Sequence, residues 1–259
     1  RRVHAVLQAA LKQAVKERLI PYNPCENCRI PPKDKKEMTI LPPEKIGRYL
    51  QEAEKYGVLP MFYLELSSGL RRGELLALQW EDLNVKERIL TVNKQVTRME
   101  GELDVTEPKT KNSVRKVALS QQAVDLLVQE HEQHPDNPIL FPSPRTGGYW
   151  SPDAVSRINR KLLKSAGIEE HVRFHDLRHT FATMAISSGV DVKTLSSMLG
   201  HFSVGFTLDT YTHITNDMQR GAAEKIGGFM ESVTAANTPE PPDPPEQNQC
   251  KVIPFEKVG

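Results

Sequence analysis

Arg88-Ile89-Leu90-Thr91-Val92-Asn93-Lys94-Gln95-Val96-Thr97 breaks the rhythm of this chain. Its side chains alternate in character and are rich in Ile, Val and Thr, which is the pattern of a half-buried strand. Val114–Leu119 alternates again, so the two stretches read as strands of a small antiparallel sheet with a turn at Met99–Gly101. Residues 98–107 then add length beyond a minimal hairpin. On both sides the period returns to that of a helix. Upstream, Pro43–Tyr56 and Pro60–Ser67 read as helices broken at Gly57 and Gly69, followed by a short one over 72–79. Downstream, helices are predicted over 121–133 and 152–165, separated by Pro142, Pro144, Gly147 and Gly148. Three or four more fit between 176 and 230. The fold class is therefore mainly α with a small antiparallel β-sheet (α+β).

The chain ends read differently. Val3, Leu7, Leu11, Val15 and Leu19 recur at fourfold spacing, as on one face of an amphipathic helix. That helix starts at the chain end without a capping residue, and no Met precedes it, which fits a piece cut from a longer protein. Pro21, Pro24, Pro31, Pro32, Pro42 and Pro43 cannot be helix interior, so the best domain boundary lies here. The expected division is a helical segment 1–30, a linker 31–42, a main domain 43–230 and a tail 231–259. Five prolines crowd 237–247, so that tail should lack a core of its own.

Composition narrows the classes. Apolar residues make up 38% and charged ones 26%, as in ordinary globular proteins. No apolar run approaches a membrane span, and no signal peptide is visible. Three cysteines make no disulfide framework and favour a reducing, cytoplasmic setting. Net charge is only +1, but residues 1–40 carry nine Lys and Arg against four Asp and Glu. With further basic clusters at Lys109–Lys116 and Arg157–Lys164, these patches are compatible with phosphate binding, although charge runs are usually solvated faces.

Three segments carry chemistry. In Phe174-His175-Asp176-Leu177-Arg178-His179-Thr180, His175 and Arg178 lie three apart and share a helix face. A guanidinium offers two parallel donors to a phosphate, and an imidazole beside it can donate or move a proton. In Ser68-Gly69-Leu70-Arg71-Arg72-Gly73-Glu74, the glycine permits a tight turn that leaves Arg71 at a helix start, where Glu74 can hold its orientation. Leu199-Gly200-His201 is followed ten residues later by Tyr211. A tyrosine is a poor nucleophile at its free pKa of about 10 and needs a base or a positive field beside it. Each segment alone also fits a surface ion pair, a helix start or a core tyrosine.

Taken in order, Gly-Leu-Arg-x-x-Glu-Leu, a strand lysine, His-x-Leu-Arg-His-Thr, Leu-Gly-His and Tyr-x-His resemble the catalytic domain of the tyrosine recombinase (phage integrase) family. The resemblance covers roughly residues 40–225 and is nearest to integrases of phages and conjugative transposons. It implies that Arg71 and Arg178 clamp the scissile phosphate, that His175 bonds it and assists proton transfer, and that His201 positions it. Tyr211 would be the nucleophile, leaving a 3′-phosphotyrosyl intermediate. A hairpin lysine, Lys109 or Lys111, would be the general acid, Lys109 being favoured as the first of Lys-Thr-Lys. The resemblance also implies a double-stranded DNA substrate at specific sites, with residues 1–30 ending a second DNA-binding domain. A tetramer with C-terminal exchange, a possible accessory excision factor, and no cofactor or metal belong to the same picture.

The remaining signals are weaker. Cys25 and Cys28 form a lone CxxC, whereas zinc wants a second pair. His131 and His134 lack zinc-protease spacing and read as a solvated helix end. His179 and His213 stand close enough to join the site, but His179 more simply packs or caps its helix. Arg72 reads as a DNA-backbone or surface residue. A type IB topoisomerase-like enzyme and a non-catalytic DNA-binding protein remain as rivals; relaxation of plasmid lacking recombination sites separates the first.

Overall fold

The computed structural model describes residues 1–31, 39–99, 101–107, 114–201 and 203–236. The chain divides into two compact units, Arg1–Thr39 and Ile40–Gly259. In the first, α1 (Arg2–Lys16) is followed by a turn in which Asn23 Oδ1 accepts from the Cys25 amide at 2.9 Å. Cys25 is buried and Cys28 exposed, both as free thiols. Among the described residues no group of His, Cys, Asp or Glu is placed to hold a metal.

The second unit is built around α3 (Leu59–Ser68), with α2 (Pro43–Lys55), α5 (Gln121–Glu132) and α7 (Phe174–Ser187) packed on it. Burial of Met61, Phe62, Leu64 and Leu66 leaves α3 with almost no polar face, as suits a central helix. Each such side chain contributes about 1.5–3 kcal/mol when fully buried. Tyr49 of α2 and Phe174 of α7 close edge-to-face on Phe62, at 5.8 and 5.7 Å between ring centres. Polar groups in this core differ in how they are satisfied. Tyr49 donates to Asn159 at 2.7 Å on α6 (Pro152–Ser165), whereas Glu65 is fully buried with neither oxygen hydrogen-bonded.

The β-structure differs from the expectation of one long strand over 88–97. Short α4 (Arg72–Ala77) and one 3₁₀ turn (Trp80–Asp82) lead into β1 (Leu83–Asn84) and β2 (Ile89–Val92). The chain then leaves the ladder before β3 (Gln95–Met99), which among the described residues pairs only with β4 (Glu102–Thr106). Between the two strands Lys94 turns inward, in step with Leu90 and Val92, and reaches Gln79 and buried Asp82, 3.1 Å away. β2 pairs instead with β5 (Arg115–Ala118), Leu90 opposite Val117 and Val92 opposite Arg115, giving the antiparallel order β1-β2-β5. The alternation identified strand character but not which sheet each half joins. The expected turn lies between β3 and β4, whose ladder begins at Met99 opposite Glu102.

Three helices complete the unit: α7, α8 (Val192–Leu199) and α9 (Val204–Ala236). No helix among the described residues is long and apolar enough to cross a membrane. Two surface readings change. Arg72 donates to Ser156 Oγ at 2.6 Å and to the Pro152 carbonyl at 3.2 Å, tying α4 to α6. His131 stacks on Trp80 with 4.0 Å between ring centres, so the end of α5 packs on the 3₁₀ turn.

Candidate active site

Two glycine-capped helix ends organise the site. α3 stops at Gly69 (φ +60°), where a Cβ would stand 2.3 Å from the Phe181 ring, so both backbone and space demand glycine. α8 stops in the same left-handed way at Gly200 (φ +62°). Each stop turns carbonyls away from its helix axis, and the arginines collect them. Arg178 donates from Nη1 to Gly69 O at 2.7 Å and from Nη2 to Leu199 O at 2.6 Å. Arg71 donates from Nη2 to Gly200 O at 2.8 Å and from Nη1 to Glu74 Oε1 at 2.7 Å.

Glu74 is the pivot. Its Oε2 accepts the Arg71 amide at 2.9 Å, and both its oxygens take the Arg115 guanidinium, at 3.1 and 2.8 Å. Arg115 Nε in turn donates to Met198 O at 2.7 Å. Burial opposes the charge on Glu74, but the hydrogen bond and charge of Arg115, then those of Arg71, hold its carboxyl below the ordinary value. Burial and the neighbouring Arg71 charge lower Arg178 to about 10, so it stays cationic at neutral pH. Arg178 is buried, whereas the Arg71 side chain is 38% exposed and remains open to an incoming anion.

The imidazoles surround this cationic floor. His175 opens α7 on the exposed side; desolvation of its ring and then the Arg178 charge lower its pKa. His201 follows Gly200, and its Nδ1 lies 2.8 Å from the hydroxyl of fully buried Thr207. Burial, then Arg178 and Arg71, push His201 down to about 4, so it is neutral at pH 7. Tyr211 occupies a kink in α9 (φ −117°, ψ 22°), and its ring is 1% exposed. Burial raises its phenol to about 12 despite the Arg178 charge.

Of the six expected residues, Arg71, His175, Arg178, His201 and Tyr211 come together here. Lys109 and its alternative Lys111 lie outside the described residues, as does the side chain of His213. The reading of His179 as a packing or capping residue is corrected: its Nδ1 is 2.8 Å from the Tyr211 hydroxyl. One turn after His175, it shares that face of α7, with 5.2 Å between the two ring centres. Burial, then His175, lowers His179 to about 4. Arg115 and Thr207 were missed altogether. Arg115 had a signal, since it shares the inward face of β5 with buried Val117, and an arginine there needs a partner. Thr207 had none.

Comparison with known proteins adds to this geometry. The sequence profile of the phage integrase family matches residues 41–218, more than half of the chain. The chain belongs to the phage integrase family. The ICEBs1 integrase of Bacillus subtilis (strain 168) is 31% identical over 230 residues, which is 84% of this chain and 62% of that protein. A XerC-like tyrosine recombinase of Caldanaerobacter subterraneus is 29% identical over 252 residues, 86% of this chain and 64% of that protein. This family member thus spans a little under two thirds of either relative. Among solved structures, the Tn1549 transposon integrase in complex with a circular intermediate DNA superposes with a TM-score of 0.75. It does so over 87% of this chain and 78% of that one at 22% identity, a likeness of fold. The profile match contains the arginines, the histidines, Tyr211 and the segment bearing Lys109 and Lys111.

Proposed function

We propose that this phage integrase family chain is the strand-cutting part of a site-specific DNA recombinase that integrates or excises a mobile element. The supporting observation is the pair Arg71 and Arg178, anchored on consecutive carbonyls of the α8 stop beside a buried tyrosine. Attack on a phosphodiester concentrates negative charge on the equatorial oxygens, so cations fixed before the substrate arrives are the largest catalytic contribution. In this reading Tyr211 attacks the scissile phosphate and forms a 3′-phosphotyrosyl bond. Arg71 and Arg178 bind the non-bridging oxygens, with His175 and His201 as hydrogen-bond donors to the same phosphate. Lys109, or else Lys111, protonates the leaving 5′ oxygen. The covalent bond keeps the phosphodiester's energy, so rejoining needs no nucleotide cofactor, and two guanidiniums supply the charge a metal would otherwise bring.

The substrate in this reading is double-stranded DNA at specific sites, with residues 1–30 ending a second DNA-binding domain. Names of relatives support it, since the solved Tn1549 integrase carries a DNA. Assembly as a tetramer on two sites, with the segment after Tyr211 docking on a neighbouring protomer, is part of the same proposal. So is an accessory factor for excision. The test is a nicked suicide substrate incubated with the protein in EDTA. A covalent adduct mapping to Tyr211, absent in Tyr211→Phe, supports the reading; an adduct that persists in Tyr211→Phe overturns it.

A further inference from the structure

We propose that His179 is a catalytic residue that accepts the phenolic proton of Tyr211 through Nδ1 as the tyrosine oxygen attacks phosphorus, and returns it when the strand is rejoined. The inference rests on the reading of Tyr211 as the nucleophile.

Geometry carries it. Tyr211 is 1% exposed, so its hydroxyl cannot hand a proton to bulk water; it meets His179 Nδ1 at 2.8 Å. The other two imidazoles are placed for other work: His201 Nδ1 is engaged with Thr207 Oγ1, and His175 stands on the open side of the pocket. The arginines cannot serve, because a guanidinium offers no lone pair. His179 is also rigidly mounted. It follows Arg178, whose two hydrogen bonds to Gly69 O and Leu199 O lock that turn of α7 onto two other helix ends.

Electrostatics keep the His179 ring neutral at rest. Burial, then His175, Arg178 and Arg173, outweigh Asp176 and hold His179 near 4, so its lone pair is free at neutral pH. With the ring proton on Nε2, Nδ1 receives the phenolic O–H. Tyr211, held near 12, does not ionise beforehand, so the proton moves as the new bond forms. The steps balance. The phenolic oxygen bonds phosphorus, the phosphorus–5′-oxygen bond breaks, His179 becomes imidazolium, and a separate acid protonates the 5′ oxygen. In rejoining, the 5′ hydroxyl attacks, the tyrosine–phosphorus bond breaks and the imidazolium reprotonates the phenolate. The bound phosphate favours that imidazolium by its own negative charge.

The test is single-turnover adduct formation on a nicked suicide substrate, using the full chain. His179→Asn keeps a hydrogen-bonding group near the Nδ1 position but takes no proton. We expect it to slow adduct formation by about 10²–10⁴-fold at neutral pH, the usual contribution of a positioned base. DNA affinity and melting temperature should stay near the parent values. Its rate should climb with pH as the phenolate forms unaided. A 5′-bridging phosphorothiolate, whose sulfur leaves without protonation, should not restore it. Added imidazole should partly restore His179→Ala, which keeps the test open if the asparagine variant folds poorly. A parent-like rate in His179→Asn, or recovery on the phosphorothiolate, overturns the proposal. An adduct surviving in Tyr211→Phe defeats the underlying reading instead, so the two failures are distinguishable.

Discussion

Arg71 and Arg178 hang from adjacent peptide units, the first taking the carbonyl of Gly200 and the second that of Leu199. One helix stop therefore sets the spacing of both guanidiniums. Lysine is not expected to replace either, because a single ammonium cannot hold a carbonyl and present a planar fork to an anion together. We expect Arg71→Lys and Arg178→Lys each to lose about 3–4 kcal/mol of transition-state binding, roughly 10²–10³-fold in adduct rate. Melting curves should separate them. Half-open Arg71 should cost little stability, whereas loss of buried Arg178 should lower the melting temperature as well. A normal rate in either lysine variant would remove that arginine from the clamp.

Gly200 offers a second test. Its φ of +62° disfavours any side chain, and a Cβ there would stand 3.0 Å from Arg115 Nη1. Gly200→Ala is expected to destabilise by about 1–3 kcal/mol and to cut activity further, because the carbonyl that holds Arg71 and the start of His201 both move. Calorimetry and the adduct assay, run on the same preparation, check the two parts.

Arg115 is expected to behave as a buried ion-pair partner. Arg115→Met leaves Glu74 charged, buried and short of one counter-ion, at a cost of about 3–5 kcal/mol. Adding Glu74→Gln should recover part of that stability yet none of the activity, since Arg71 then loses its ionic tether. Denaturant titration of the two single variants and the double variant measures the coupling. Simple additivity would refute it.

The histidines impose an acid limit. His179 and His201 are held near 4 in the folded protein, below the ordinary 6.5, so the unfolded chain binds protons first as pH falls. Their contribution is therefore complete above about pH 6.5 and drains away between there and about pH 4. Thermal melting across that window should show the decline, and His179→Asn with His201→Asn should flatten it. An unchanged slope in the double variant would assign the decline to other groups.

Glu65 predicts the opposite slope. Its carboxyl is fully buried and raised well above its ordinary value by burial, only partly offset by Arg178. Unfolding lets it ionise once pH exceeds about 4.5, so folding grows costlier as pH rises toward its folded value. Glu65→Gln should accordingly gain more stability at pH 8 than at pH 5. Equal changes at both pH values would mean that the buried carboxyl does not titrate.

The helices and most of the site were legible in the sequence because both rest on local rules. Period fixes the buried faces of α2 and α6, and i,i+3 spacing puts His175 with Arg178. What escaped was decided by contacts distant along the chain. The alternation runs unbroken through Lys94, so nothing in it records that β2 pairs with β5 while β3 turns to β4. The bond from His179 to Tyr211 spans 32 positions and depends on the kink in α9. Thr207 becomes polar furniture for His201 only once α9 folds back on α8. Arg115 was readable, since an arginine on the inward side of a strand requires a carboxylate opposite.

The β3–β4 hairpin shares no strand with the β1-β2-β5 sheet. Its Val96 carbonyl lies so close over Gly73 that a Cβ there would meet it at 2.8 Å. The chain leaves the main ladder after Val92, two residues before Lys94, and re-enters it at Arg115; Lys94 and Arg115 are each clamped by a buried carboxylate. Those two clamps define natural splice points. Chimeras that exchange everything between them, with Gly73 kept, would transplant one integrase's loop onto another's clamp without disturbing either ion pair.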